Sequence, residues 1–159
     1  MSQRKGTLRQ AILSDHAASL AILTRLTPEQ WEMAVPSETE APWRALDVLA
    51  HLAVSEGGQL GQIRRCVAGE VTVPDDFDLA RYNRRSVQKQ AGRTVAEHLA
   101  EINRAHAEVL ATLDAVDEAD LDKTGRHARG DILTVEAFFH RITEHRRQHA
   151  EALARDLGG

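Results

Sequence analysis

Residues 94–116, TVAEHLAEINRAHAEVLATLDAV, decide the fold. Thr94 followed by Glu97 is a capping box. The hydroxyl accepts from the amide three residues on, and the Glu side chain reaches back to the cap amide. From there Val95, Leu99, Ile102, His106, Val109, Leu113 and Val116 recur at alternating steps of four and three. That is the stripe of an amphipathic helix packed in a bundle. Such a helix is marginal alone and takes its stability from partners that cover the stripe.

The partners lie on either side. Downstream, a helix is expected to start after Thr134 and end at Gly158, with Val135, Phe138, Ile142, His145, His149 and Ala152 on one face. Upstream, residues 43–68 carry Leu46, Leu49, Ala53, Leu60, Ile63 and Val67, interrupted by Gly57, Gly58 and Gly61. Those glycines point to a close helix contact or a kink. The first segment runs from Leu8 to Leu26, with Leu8, Ile12, Ser19, Ile22 and Leu26 on one side. Thr27-Pro28-Glu29-Gln30 starts a short capped turn, and a second follows Asp117. Residues 69–93 hold Gly69, Pro74 and Gly92 and read as a crossover with a short helix around 79–90. No strand alternation of useful length is present. The pattern predicts an all-α four-helix bundle over residues 1–159 as a single domain, with a long crossover connection containing a short helix. Its helices of roughly 19–26 residues would span about 30–40 Å.

Composition agrees. The chain has 159 residues, 42% hydrophobic and 28% charged, with only 4% aromatic. That is a globular balance, rich in helix formers. Twenty basic against twenty-four acidic residues give a net charge of −4, which argues against a nucleic-acid partner. The basic residues of the crossover, Arg81, Arg84, Arg85, Lys89 and Arg93, read as a solvated face. No run approaches the ~18 apolar residues of a membrane span, and the first residues lack the apolar core of a secretion signal. A reducing, cytoplasmic location is expected, since the one cysteine, Cys66, has no internal disulfide partner. Against that single cysteine stand eight histidines.

Helical phase sorts them. His145 and His149 lie one turn apart on the core face of the last helix, where two imidazoles can reach one ion. His140 falls on another meridian, with Glu144, Arg147 and Glu151, and is expected in solvent. His98 shares a polar side with Glu101, His127 lies in a loop, and His16 beside Asp15 has no distinctive spacing and is expected at a helix surface or edge. His106 occupies a seam position and reads as a hydrogen-bonded core residue. Its alternative is a ligand, or a partner behind one. A pair needs a third ligand. His51, flanked by Val48 and Val54, is the best candidate. Three neutral imidazoles with a fourth position open define a catalytic kind of zinc site.

Several stretches in order then resemble the DinB/YfiT-like superfamily of metalloenzymes. They are Leu26-Thr-Pro-Glu-Gln-Trp31, Trp43 with seven residues between it and His51-Leu52, Asp76-Phe77-Asp78 with Asn83, and His145-x-x-x-His149. The resemblance covers about residues 7–157. It implies a four-helix bundle that binds a divalent metal, often zinc or nickel, through His51, His145 and His149. Arg44 stands where that family often has Ser or Thr to cap the second helix, which leaves the start of that helix open.

Some members of the family are thiol-dependent transferases or isomerases, related to the maleylpyruvate isomerase N-terminal domain. They use bacillithiol, mycothiol or glutathione. The resemblance therefore implies a small-molecule substrate, a possible homodimer and a metal-dependent S-transferase using a low-molecular-weight thiol. The alternatives are a metal-dependent hydrolase, or a bundle in which the metal is structural or absent. No catalytic residue is assigned. Cys66 reads as an inert apolar residue. Asp47, one turn before His51, is a candidate to orient its imidazole. Glu56 is a candidate base or hydrogen-bond acceptor, with a solvated or structural carboxylate the stronger reading.

Overall fold

A computed structural model describes residues 2–37 and 39–158. The element order is α1 (Gln3–Leu23), α2 (Pro28–Trp31), β1 (Ala34–Val35), β2 (Trp43–Arg44), α3 (Ala45–Val67), α4 (Leu79–Gln88), α5 (Val95–Ala115), a 3₁₀ turn (Glu118–Asp122), β3 (Thr124–Arg126), β4 (Ile132–Thr134) and α6 (Val135–Asp156). The four long helices, α1, α3, α5 and α6, form the bundle: α6 packs on α1 and α3, and α5 packs on the same two. The expected four-helix bundle is the observed one, and α4 lies in the crossover between α3 and α5.

Sequence chemistry sets the helix ends. Thr94 and Glu97 form the capping box expected for α5, with Glu97 N–H donating to Thr94 Oγ1 at 3.1 Å and Thr94 N–H to Glu97 Oε2 at 2.8 Å. Helix α3 solves its missing Ser or Thr differently. The Asp47 carboxylate accepts from the Arg44 backbone N–H at 2.8 Å, so the cap works from inside the helix. Helix α1 starts at Gln3, earlier than the expected Leu8, because Ser2 Oγ accepts from Lys5 N–H. Lys5 is itself 9% exposed, its Nζ donating to the carbonyls of Asp114 and Val116 at the end of α5. A cation there satisfies carbonyls that the helix leaves open.

Two antiparallel ribbons were not expected. β1 pairs with β2 and β3 with β4, each too short for period-two alternation to register. They make one device used twice. A short helical turn precedes the first strand, and the second strand runs directly into a long helix. Ala45 N–H donates to Met33 carbonyl at 2.9 Å, and Val135 N–H donates to Lys123 carbonyl at 2.8 Å. Each bond spans the same number of residues and pins the start of α3 or of α6.

The apolar core falls into two clusters. One gathers Trp31, Trp43, Leu49, Leu52, Ile102 and Leu153, the other Leu8, Ile12, Leu60, Leu113, Phe138 and Ile142. On every long helix polar residues stand between the clusters: Asp15, His16 and Ser19 on α1, Glu56 on α3, His106 on α5 and Arg146 on α6. Arg146 Nη1 lies 2.6 Å from Glu56 Oε1, with both side chains 1% exposed. The Asp15 carboxylate accepts from Thr143 Oγ1 at 3.2 Å and pairs with Arg147 Nε at 2.8 Å. The His16 and His106 rings stack at 3.6 Å, nearly parallel. A polar layer therefore crosses the middle of the bundle.

Candidate metal centre

Helices α3 and α6 are neighbours, which brings His51 against His145 and His149. His51 Nε2 stands 3.3 Å from His145 Nε2, and His149 Nε2 stands 3.1 Å from the same atom. One donor nitrogen from each of the three lies within 4.8 Å of the others. His51 is buried, while the other two are half-buried. Donors held at about 2.0–2.1 Å around a tetrahedral ion stand roughly 3.3 Å apart, so the nitrogen spacing fits a metal ion. A chain of hydrogen bonds explains it less well, since a neutral imidazole has one donor and one acceptor, and His145 Nε2 would serve two neighbours at once.

Electrostatics keep His51 and His145 in ligand form. Burial pushes His51 down to about 3, with His149 and Arg129 adding to the effect. For His145, burial and then His149 and His51 drive the imidazole well below its ordinary value. Neutral imidazole is the form that binds a metal.

The candidates for supporting roles fall elsewhere. Asp47 caps α3 and pairs with Arg44 Nε at 3.4 Å, while His51 Nδ1 is buried with no hydrogen-bond partner. It does not orient His51. Glu56 turns to Arg146 in the polar layer, where burial pushes its carboxyl up to about 7 and the guanidinium pulls it back. His106 stacks on His16 rather than joining the cluster. Cys66 is buried beneath the β3–β4 ribbon, in contact range of a Cβ built at Gly125, and burial pushes its thiol up.

Beside the cluster opens a cavity of about 330 Å³, with His51 and His145 in its wall. Helix α3 forms one side through Ser55, Gly58, Gln59 and Gln62, and Phe77, Tyr82 and Asn83 of the crossover form another. The Phe77 and Tyr82 rings meet at 5.5 Å. A Cβ at Gly58 would lie 3.6 Å from Tyr82 Oη, in ordinary van der Waals contact with the phenol. Helix α3 runs unbroken through all three glycines.

Two histidines were misplaced by sequence reasoning. His98 is 1% exposed, not on a polar face, because the crossover covers the start of α5; Val87 and Gln88 line the same cleft. His127 is 5% exposed and lines the cavity. Its loop is a tight turn in which Gly130 takes φ 100 and donates its N–H to the His127 carbonyl. Nothing local in the sequence signals that this turn folds inward.

Burial lowers His16, His106 and His127 each to about 4, with Arg146 the next cause for the first two and Arg141 for the third. The unfolded chain protonates these groups near the ordinary 6.5, while the folded chain does not. Their contribution is complete above pH 6.5 and is lost as pH falls from there towards 4. Glu56, shifted the other way, opposes them, one group against these three and against His51, His98 and His145, which burial also lowers. The denaturation midpoint of the metal-free protein should therefore drop steadily over that window in urea titrations. A flat profile would show that these rings are protonated in the folded state.

The protein is similar to YfiT from Bacillus subtilis, described as a probable metal-dependent hydrolase with an unusual four-helix bundle topology: 19% identity, TM-score 0.73, covering 99% of this chain and 90% of that one. It is also similar to the colibactin self-resistance protein ClbS, solved with double-stranded DNA, at 13% identity and TM-score 0.75 over 95% and 93% of the chains. An uncharacterised protein from Clostridium difficile 630 aligns at 14% identity and TM-score 0.70, over 95% of each chain. Identities this low show the shared fold. No curated protein matches the sequence. A family model, however, spans residues 6–153, taking in all four bundle helices and the three clustered histidines: the chain belongs to the DinB superfamily.

Proposed function

We propose that the protein is a divalent-metal-dependent enzyme, with zinc or nickel held by His51, His145 and His149, that transfers a low-molecular-weight thiol to an electrophilic substrate. One observation carries this reading: three imidazoles stand at ligand spacing, two of them, His51 and His145, in the wall of a cavity that has no thiol of its own. When bound, a dication with an open fourth position would lower the pKa of a thiol or of water, so that the nucleophilic form exists at neutral pH.

The chain's own residues do the rest. Burial keeps His51 and His145 neutral. Phe77 and Tyr82 supply an apolar wall against which a small substrate can be held out of water. In the transfer itself the thiolate sulfur bonds to the electrophilic carbon as the bond to the leaving group breaks. The leaving group takes the electron pair and the thiol proton passes to solvent. With Cys66 buried and outside the cavity, the thiol has to arrive as a cosubstrate.

Hydrolysis is the second reading, favoured by the likeness to YfiT. Untagged protein analysed for metal, loaded with zinc or nickel and offered an aryl chloride with bacillithiol, mycothiol or glutathione separates the two. Thiol conjugation that a chelator abolishes is the expected result. Ester hydrolysis without thiol consumption would establish the second reading, and loaded protein inert to both would favour a structural metal.

A further inference from the structure

The far end of the cavity carries a second recognition element. His127 Nδ1 accepts from the Arg129 backbone N–H at 3.1 Å, so the ring hydrogen of the neutral imidazole sits on Nε2. That nitrogen lies 3.3 Å from Gln59 Oε1 and donates to it. The bond fixes the Gln59 amide with its oxygen towards His127, leaving the NH₂ group, a double donor, for the cavity. One turn further along α3, Gln62 lines the same cavity at 6% exposure, and its Oε1 is buried without a hydrogen-bond partner. A buried amide oxygen left unpaired costs about 1–3 kcal/mol. An oriented donor and an unsatisfied acceptor therefore stand three residues apart on one helix face, where side chains are neighbours.

We propose that Gln59 and Gln62 form a subsite that reads an O=C–N–H edge of the ligand, as in a primary carboxamide or a lactam. The ligand's carbonyl accepts from the Gln59 NH₂ group and its N–H donates to Gln62 Oε1. A carboxylate offers no hydrogen to Gln62, and an ester or ketone offers none either. Gln59 follows His51 by eight residues and Gln62 follows it by eleven, so the rise of α3 separates the subsite from the histidine cluster by roughly 12–16 Å. The ligand class is thus an elongated molecule with its reacting head at the histidines, an apolar stem along Phe77 and Tyr82, and a carboxamide or lactam at the other end. This deepens the proposed function and rests on it only for the position of the reacting head.

The probes are four straight-chain alkyl thiols of one length, sized to span that distance and ending in a primary carboxamide, a methyl ester, a carboxylate or a hydroxyl. Calorimetric affinities are measured for the metal-loaded protein and for its His145→Ala variant. The expected result is that the carboxamide binds about 10-fold or more tighter than the ester, the size of one hydrogen-bond mismatch at a buried polar group. That ratio should persist in His145→Ala even though every affinity falls. Gln62→Leu should abolish the preference, while Gln62→Glu, whose carboxylate still accepts from the ligand N–H, should retain it, both with the wild-type circular dichroism spectrum. Equal affinities for carboxamide and ester, or a hydroxyl that matches the carboxamide, would overturn the subsite. If the metal reading alone is wrong, loading changes no affinity while the carboxamide preference survives.

Discussion

Replacing His145 by Ala should abolish high-affinity metal binding, with a loss of at least ~100-fold, since removal even of a group that merely orients a ligand costs 10–100-fold. His145 is the sharpest choice because its Nε2 lies between the other two donors, 3.3 Å from His51 and 3.1 Å from His149. Without it, the remaining pair is a poor site. The readout is the thermal midpoint with and without added zinc or nickel. A ligand at a hundred times its Kd stabilises the folded state by about 2.7 kcal/mol, which for a chain of this size is a shift of several degrees. The wild type should show that shift and the variant should not, at similar metal-free midpoints. An undiminished shift in the variant would place the metal elsewhere.

The second large effect lies in the polar layer. Glu56→Ala or Arg146→Ala alone should cost about 3–5 kcal/mol, because each leaves the other charge buried without its partner. The Glu56 and Arg146 side chains are both 1% exposed, the pair being enclosed among helices α1, α3, α5 and α6. Against a typical total stability of about 5–15 kcal/mol, that loss is severe. The double replacement Glu56→Leu with Arg146→Met should recover most of it, since apolar groups of similar volume bear the same burial without a desolvation cost. Urea denaturation of the three variants checks this. A single variant within about 1 kcal/mol of wild type would mean that water reaches the pair and that the layer is not closed.

Much of this was readable before the fold was known, for a physical reason. Amphipathic helices write their packing into every third or fourth residue, so α5 and α6 were legible down to the Thr94 and Thr134 caps. The same phase put His145 and His149 on one inward face. It also misled in places. Glu56 and Arg146 break the apolar stripes of α3 and α6, and a charge at a seam reads as a surface residue until its partner on another helix is known. His98 looked polar because its neighbours on α5 are, and only the crossover folding over it buries the ring. The two ribbons have two or three residues per strand, below the length at which alternation means anything. Gln59 and His127 meet only because the 127–131 turn folds back on α3. Helical phase carries no information about such a long-range contact.

The central claim is that three imidazoles on two helices hold one metal ion with a position left open. X-ray absorption on untagged, zinc-loaded protein tests it most directly. The account predicts a shell of light atoms at about 2.0–2.1 Å with the outer scattering of three imidazole rings and one further oxygen or nitrogen neighbour. A sulfur neighbour at about 2.3 Å, which would bring in Cys66, or a shell without imidazole scattering, would contradict it.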